Sequence, residues 1–161
     1  MKVKMLAILS LFALATQVLA AANYPVRPDR RLTPGKFCEP QLATEYRYQE
    51  QIPYCARDVS SELKDEIFQS YRRLGFSLNS VQRSDYKIDH YIPLCLGGSN
   101  DKANLWPQHV SVYSITDSIE ALSCEKLQQN RISRRDAVTV LLTVKNDLSK
   151  AKEAMKYLRS L

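Results

Sequence analysis

The chain has two histidines in 161 residues, four cysteines without a single Cys-x-x-Cys pair, and neither an internal repeat nor a low-complexity tract. Without Cys-x-x-Cys pairs the usual spacing of a zinc knuckle is missing, and without repeats a solenoid or propeller array is excluded. Any imidazole chemistry has to run through His90 or His109. Beyond residue 22 no run is long and apolar enough to cross a bilayer, so no stable membrane association is expected of the mature protein.

What is there begins with Met1-Lys2-Val3-Lys4, two positive charges ahead of an uncharged, Leu- and Ala-rich run from Met5 to about Ala22. That order reads as a secretory signal peptide over residues 1–22, with small residues permitting cleavage after Ala20 or Ala22. Its removal leaves about 140 residues, the size of one domain, and takes away Lys2 and Lys4, so the formal charge drops from +6 to +4. A charge that modest suits an anionic partner without requiring one.

Export to an oxidising compartment favours disulfides among Cys38, Cys55, Cys95 and Cys124 over a zinc knuckle. Of three connectivities, Cys38 with Cys55 and Cys95 with Cys124 is favoured because it pairs neighbours in sequence, each bridge adding roughly 2 to 4 kcal/mol; the other pairings and free thiols stay open.

Residues 23–36, with Pro25, Pro28, Pro34 and Gly35 among charges, read as an extended, mobile leader that buries little. The domain is expected over 37–161. Residues 37–54 look irregular, packed down by Phe37, Tyr46, Tyr48 and Tyr54. Ser60 and Ser61 offer caps to a helix with Leu63, Ile67, Tyr71 and Leu74 on its apolar face and Gly75 to end it. A short strand at 87–92 closed by Pro93 and a second extended piece at 104–106 follow. Then comes a helix over about 111–128, its apolar face formed by Ile115, Ile119, Leu122 and Leu127. Ser133 caps a last amphipathic helix with Asp136 at its third position and Ala137, Val140, Leu141, Val144 and Leu148 as its stripe. Residues from Lys150 onward continue as a further helix.

The densest signal is Ile88-Asp89-His90-Tyr91-Ile92-Pro93-Leu94, then Gly97-Gly98-Ser99-Asn100-Asp101 and Asn104-Leu105-Trp106-Pro107-Gln108-His109. Hydrolysing a phosphodiester needs a deprotonated water and neutralisation of charge on the phosphoryl and departing oxygens. An imidazole of ordinary pKa near 6.5 is a suitable base, and a carboxylate-held divalent ion supplies the Lewis acid. Adjacent strand residues point to opposite faces, so Asp89 and His90 share one pocket only if the strand is distorted near Pro93 or the imidazole reaches around. Asn104 can fix the loop that bears His90 without adding charge. Gly97 and Gly98 provide positive φ in the turn, and Trp106 is a core anchor rather than a stacking platform.

The pattern Asp-His-x-Ile-Pro-Leu-x-Leu-Gly-Gly-Ser-Asn-Asp-x-x-Asn-Leu-Trp-Pro-Gln resembles the core of HNH endonucleases, the ββα-metal nuclease class. It is most similar to small secreted bacterial members with an Asn-Leu-Trp-Pro signature. The close match covers residues 86–109 and extends more weakly to Cys124; Tyr46 to Tyr71 resembles the upstream part of such proteins. The resemblance implies an α+β fold, a ββα-metal core at about 86–128 embedded in a mostly helical, disulfide-braced single domain. It implies Asp89 as metal ligand, His90 as general base and Asn104 as the residue that positions it, with one divalent ion, Mg, Mn or Zn. The usual place of the third ligand falls near Tyr113, a poor ligand. His109 is the substitute and Asp117 the next choice.

Arg134 and Arg135, with Arg131 and Lys126, are candidate phosphate contacts. The implied activity is a secreted or periplasmic, metal-dependent endonuclease of low sequence specificity, monomeric and acting on nucleic acid, DNA by preference. The alternatives are a non-catalytic module that binds nucleic acid or protein on the same fold, and a secreted antibacterial effector.

Overall fold

A computed structural model describes residues 23–78 and 80–161. The expected signal peptide, residues 1–22, lies outside the described residues. The described residues are mixed α and β, with two small antiparallel sheets, four α-helices and two disulfides.

The first sheet pairs β1 (Glu45–Arg47) with β2 (Ile52–Tyr54), where irregular structure was expected. Its turn is built with Tyr48 and Gln51 at positive φ, 62° and 51°, rather than with the Asn-Gly or Gly-rich pair that marks a hairpin in sequence. The aromatic anchors are also redistributed. Phe37 and Tyr46 are exposed, while Ile52 is buried and joins the core.

Helix α1 (Ser61–Arg72) is as its sequence specifies. The Ser60 hydroxyl accepts from Leu63 N at 3.2 Å, Ile67, Phe68 and Tyr71 are buried, and Gly75 follows at φ 94°. The second sheet pairs β3 (Tyr86–His90) with β4 (Leu105–His109), with Asp89 opposite Trp106 and His90 opposite Leu105. Helix α2 (Val110–Gln128) leaves β4 without a break, giving a strand–strand–helix unit.

The buried face of α2 is Val112, Thr116, Ile119, Ser123 and Leu127; Ile115, expected on it, is exposed. Two hydroxyl residues disguise this face. They bury without penalty because Thr116 Oγ1 accepts from Gln108 Nε2 at 2.8 Å and Ser123 donates to the Ile119 carbonyl at 2.8 Å.

Helix α3 (Arg134–Asn146) starts on Ser133, which accepts from Asp136 N and donates to its carboxylate. It buries Ala137, Leu141, Val144 and Lys145, and Leu148 lies just beyond its end. Helix α4 (Ala151–Ser160) buries Ala154 and Leu158. One apolar cluster is built from α2, α3 and α4, another from α1, β3 and β4, and Leu142 and Leu148 pack against both.

Residues 23–36 do not stand away from the core. Pro25, Pro28 and Thr33 are buried. Thr33 Oγ1 donates to the Leu105 carbonyl at 2.9 Å and sits 2.8 Å from the Tyr71 hydroxyl, while Gly35 N donates to the Ala103 carbonyl. Proline content predicted an unstructured leader, but tertiary partners satisfy this segment's polar groups. Both disulfides follow the favoured pairing, Cys38–Cys55 and Cys95–Cys124, which is compatible with an extracellular or periplasmic protein. No helix among the described residues is long and apolar enough to cross a membrane.

Candidate active site

The loop between β3 and β4 is held by Asn104, which is fully buried. Its side-chain oxygen accepts from Ile92 N at 2.9 Å and its amide donates to the carbonyls of Ile92 and Ser99, both at 2.9 Å. Its own carbonyl accepts from Tyr91 N at 2.7 Å. A neutral amide thus clasps both sides of the loop that follows His90. Gly97 has φ 80°, whereas Gly98 is needed for space. A Cβ there would lie 1.8 Å from the Ile92 carbonyl oxygen and 2.9 Å from Asn104 Nδ2.

At the end of β3 lies a cleft of about 320 Å³ bordered by Arg57, Lys87, Asp89, His90, Asp117 and Glu120, with the Cys95–Cys124 bridge beside it. Asp89 and His90 both reach this cleft, but strand alternation holds. Asp89 turns towards α2 and α3, and His90 towards the segments around Arg57 and Asn100.

His90 Nδ1 is 3.2 Å from Arg57 Nη1, and Nε2 is 3.0 Å from Asn100 Oδ1. A guanidinium only donates, so Nδ1 is the acceptor and Nε2 carries the proton. Arg57 also donates to the Ile88 carbonyl at 3.0 Å, and Asn100 to the Ala56 carbonyl at 2.7 Å. Burial pushes the imidazole down from 6.5 to about 4; the Asn100 bond works against this and Arg57 adds to it. At neutral pH the ring is uncharged.

The other half of the cleft is organised by Lys145, whose side chain is fully buried. Its ammonium donates to Asp89 Oδ2 at 3.1 Å, the His90 carbonyl at 2.6 Å and Glu120 Oε2 at 2.9 Å. Lys87 stands 3.6 Å from Asp89 Oδ1 and 2.6 Å from Asp117. Burial works to raise Asp89, but Lys145 and Lys87 outweigh it and hold the carboxyl below its usual range. Burial raises Glu120, and the neighbouring Asp89 charge adds to the rise while Lys145 offsets only part of it. Burial alone would lower Lys145; the two carboxylates keep it charged and above its ordinary value.

Hard divalent ions take several oxygen ligands at close range. The oxygens that converge here, those of Asp89, Glu120 and the His90 carbonyl, are engaged by the Lys145 ammonium.

Of the residues singled out in the sequence, the cleft gathers Asp89, His90 and Asp117, with Asn104 behind the loop. His109 is elsewhere, at the far end of the sheet opposite Tyr86. It caps α2 by accepting from Ser111 N at 3.2 Å and stacks on Tyr24 at 3.9 Å between ring centres. Arg134 donates to the Leu96 carbonyl at 3.0 Å and lies over Phe37 at 4.3 Å. Arg135 is exposed on α3, and neither arginine borders the cleft.

Arg57, Asn100, Glu120 and Lys145 are additions from the structure. Two of them left a trace in the sequence. Glu120 follows Asp117 by three positions, on the same helical face, and Lys145 follows Leu141 by four, a charge on an apolar stripe. No protein-family model, curated protein or solved structure matches this chain.

Proposed function

We propose that this chain is an exported endonuclease of the HNH type, secreted or periplasmic and monomeric. It hydrolyses phosphodiester bonds of nucleic acid, DNA by preference, with low sequence specificity. The observation that carries the reading is the placement of His90, neutral and buried at the end of β3, in a cleft shared with Asp89 and two cations. The hairpin behind it is clasped by Asn104.

In this reading a phosphate entering the cleft draws Arg57 towards its oxygens, which uncovers the Nδ1 lone pair of His90. Nδ1 then takes a proton from water as that oxygen bonds to phosphorus and the opposite P–O bond breaks. Arg57 and Lys87 supply positive charge to the phosphoryl and departing oxygens. The Nε2 proton, held by Asn100, keeps the ring oriented. The divalent ion implied by the resemblance finds its oxygens already engaged by Lys145, and none of these steps runs through it.

A second reading, a binding module without turnover, is favoured by one feature: both nitrogens of His90 have protein partners. Incubation of the purified, disulfide-bonded protein with plasmid DNA and with structured RNA separates the two. Turnover of the plasmid, with RNA cleaved more slowly or not at all, is the expected result. Salt-dependent binding without cleavage under any divalent cation supports the binding module instead.

A further inference from the structure

We propose that the Lys145 ammonium is the resident cation of this cleft, filling the place between Asp89, Glu120 and the His90 carbonyl and so excluding a divalent ion from those oxygens. The inference holds whether or not the cleft cleaves nucleic acid.

All three ammonium protons have oxygen partners, two of them carboxylates on separate elements. The side chain is wholly shielded from solvent. It extends from a helix whose neighbouring buried positions are Leu141 and Val144. A divalent ion taking these oxygens has to push aside an ammonium that is wholly shielded from solvent. An unpaired charge there is strongly unfavourable. An ion settling beside the ammonium instead meets Lys145, Lys87 and Arg57 against the three carboxylates of Asp89, Glu120 and Asp117, so no net negative charge remains to attract it.

Lys145 is thus a positioning residue. It ties the end of β3 that bears His90 to α2 through Glu120 and to α3 through its own backbone. Removing its charge leaves two carboxylates and a carbonyl facing one another, a set of hard oxygens suited to a divalent cation.

Calorimetric and paramagnetic-resonance titration of Mn²⁺ into the disulfide-bonded protein tests this. The wild type is expected to show no saturable binding at these oxygens below about 1 mM, the weak end for oxygen-ligand sites, with Glu120→Gln indistinguishable from it. Lys145→Met, an uncharged side chain of similar length, is expected to tighten Mn²⁺ binding about tenfold or more, a gain abolished when Asp89→Asn is added. A residue that merely supports the fold would destabilise the protein on replacement without creating such a site.

Wild-type binding well below about 1 mM that Glu120→Gln or Asp89→Asn removes would overturn the proposal. So would a folded Lys145→Met protein that gains nothing. If Lys145→Met fails to fold, the comparison of wild type with Glu120→Gln decides alone. Absence of nuclease activity bears on the function proposed above and leaves the Mn²⁺ result standing.

Discussion

His90 has its pKa moved to about 4 by burial and a facing guanidinium, and a shift of that size is also a statement about stability. The unfolded imidazole titrates near 6.5, so between 6.5 and 4 the unfolded chain takes up a proton that the folded chain refuses. Stability from this group is complete above pH 6.5 and is lost as pH falls through that window, about 3 kcal/mol in all. Urea denaturation of wild type and His90→Gln between about pH 7 and about pH 4 checks it, the variant losing about 3 kcal/mol less over that range. Equal losses would show that the acid sensitivity resides in Asp89, Glu120 or other carboxylates. The Asp89-His90 pair was legible in the sequence because its neighbours form a long, restrictive pattern. The groups that set its chemistry were not. Arg57 lies 33 positions before His90 and Lys145 55 positions after it, and no local periodicity links positions so far apart.

Between the strands of the second sheet, the loop after His90 depends on one close approach. Adding a methyl at Gly98 brings it against the Ile92 carbonyl, backbone that cannot move without breaking the Asn104 clasp. Gly98→Ala is expected to cost about 2 to 4 kcal/mol in thermal or urea unfolding. Gly75→Ala has open space around it and strain only from φ 94°, so it should cost about 1 kcal/mol. Comparable losses would argue that the Gly98 contact relaxes freely. At this scale the sequence was readable wherever an element announces its own ends. Ser60 and Ser133 cap α1 and α3 as their positions suggest. It misled where a side chain's partner is remote: Thr116 and Ser123 look like solvent-facing residues of α2 until Gln108 and the helix's own carbonyls are seen to satisfy them. The β1–β2 hairpin was hidden for a related reason, since Tyr48 and Gln51 adopt positive φ without being glycine or asparagine.

Across the whole molecule, two apolar clusters meet at Leu142 and Leu148, and the disulfides tie each of two loop regions to a neighbouring segment. The Cys95–Cys124 bridge spans 29 residues and fastens the loop after His90 to α2, beside the cleft. Replacing both of its cysteines by serine is expected to remove about 3 to 4 kcal/mol through the unfolded chain's regained freedom, measured as a drop in urea stability. A change within error would place the constraint in the packing of α2 instead. The proposed role of His90 as the base of a phosphodiester-hydrolysing cleft is tested most directly by initial rates of supercoiled-plasmid nicking for the purified, disulfide-bonded wild type and His90→Ala, side by side at neutral pH. Nicking by the wild type, slowed about a hundredfold or more in the variant, is the expected result; equal rates, or no nicking by the wild type, would contradict it.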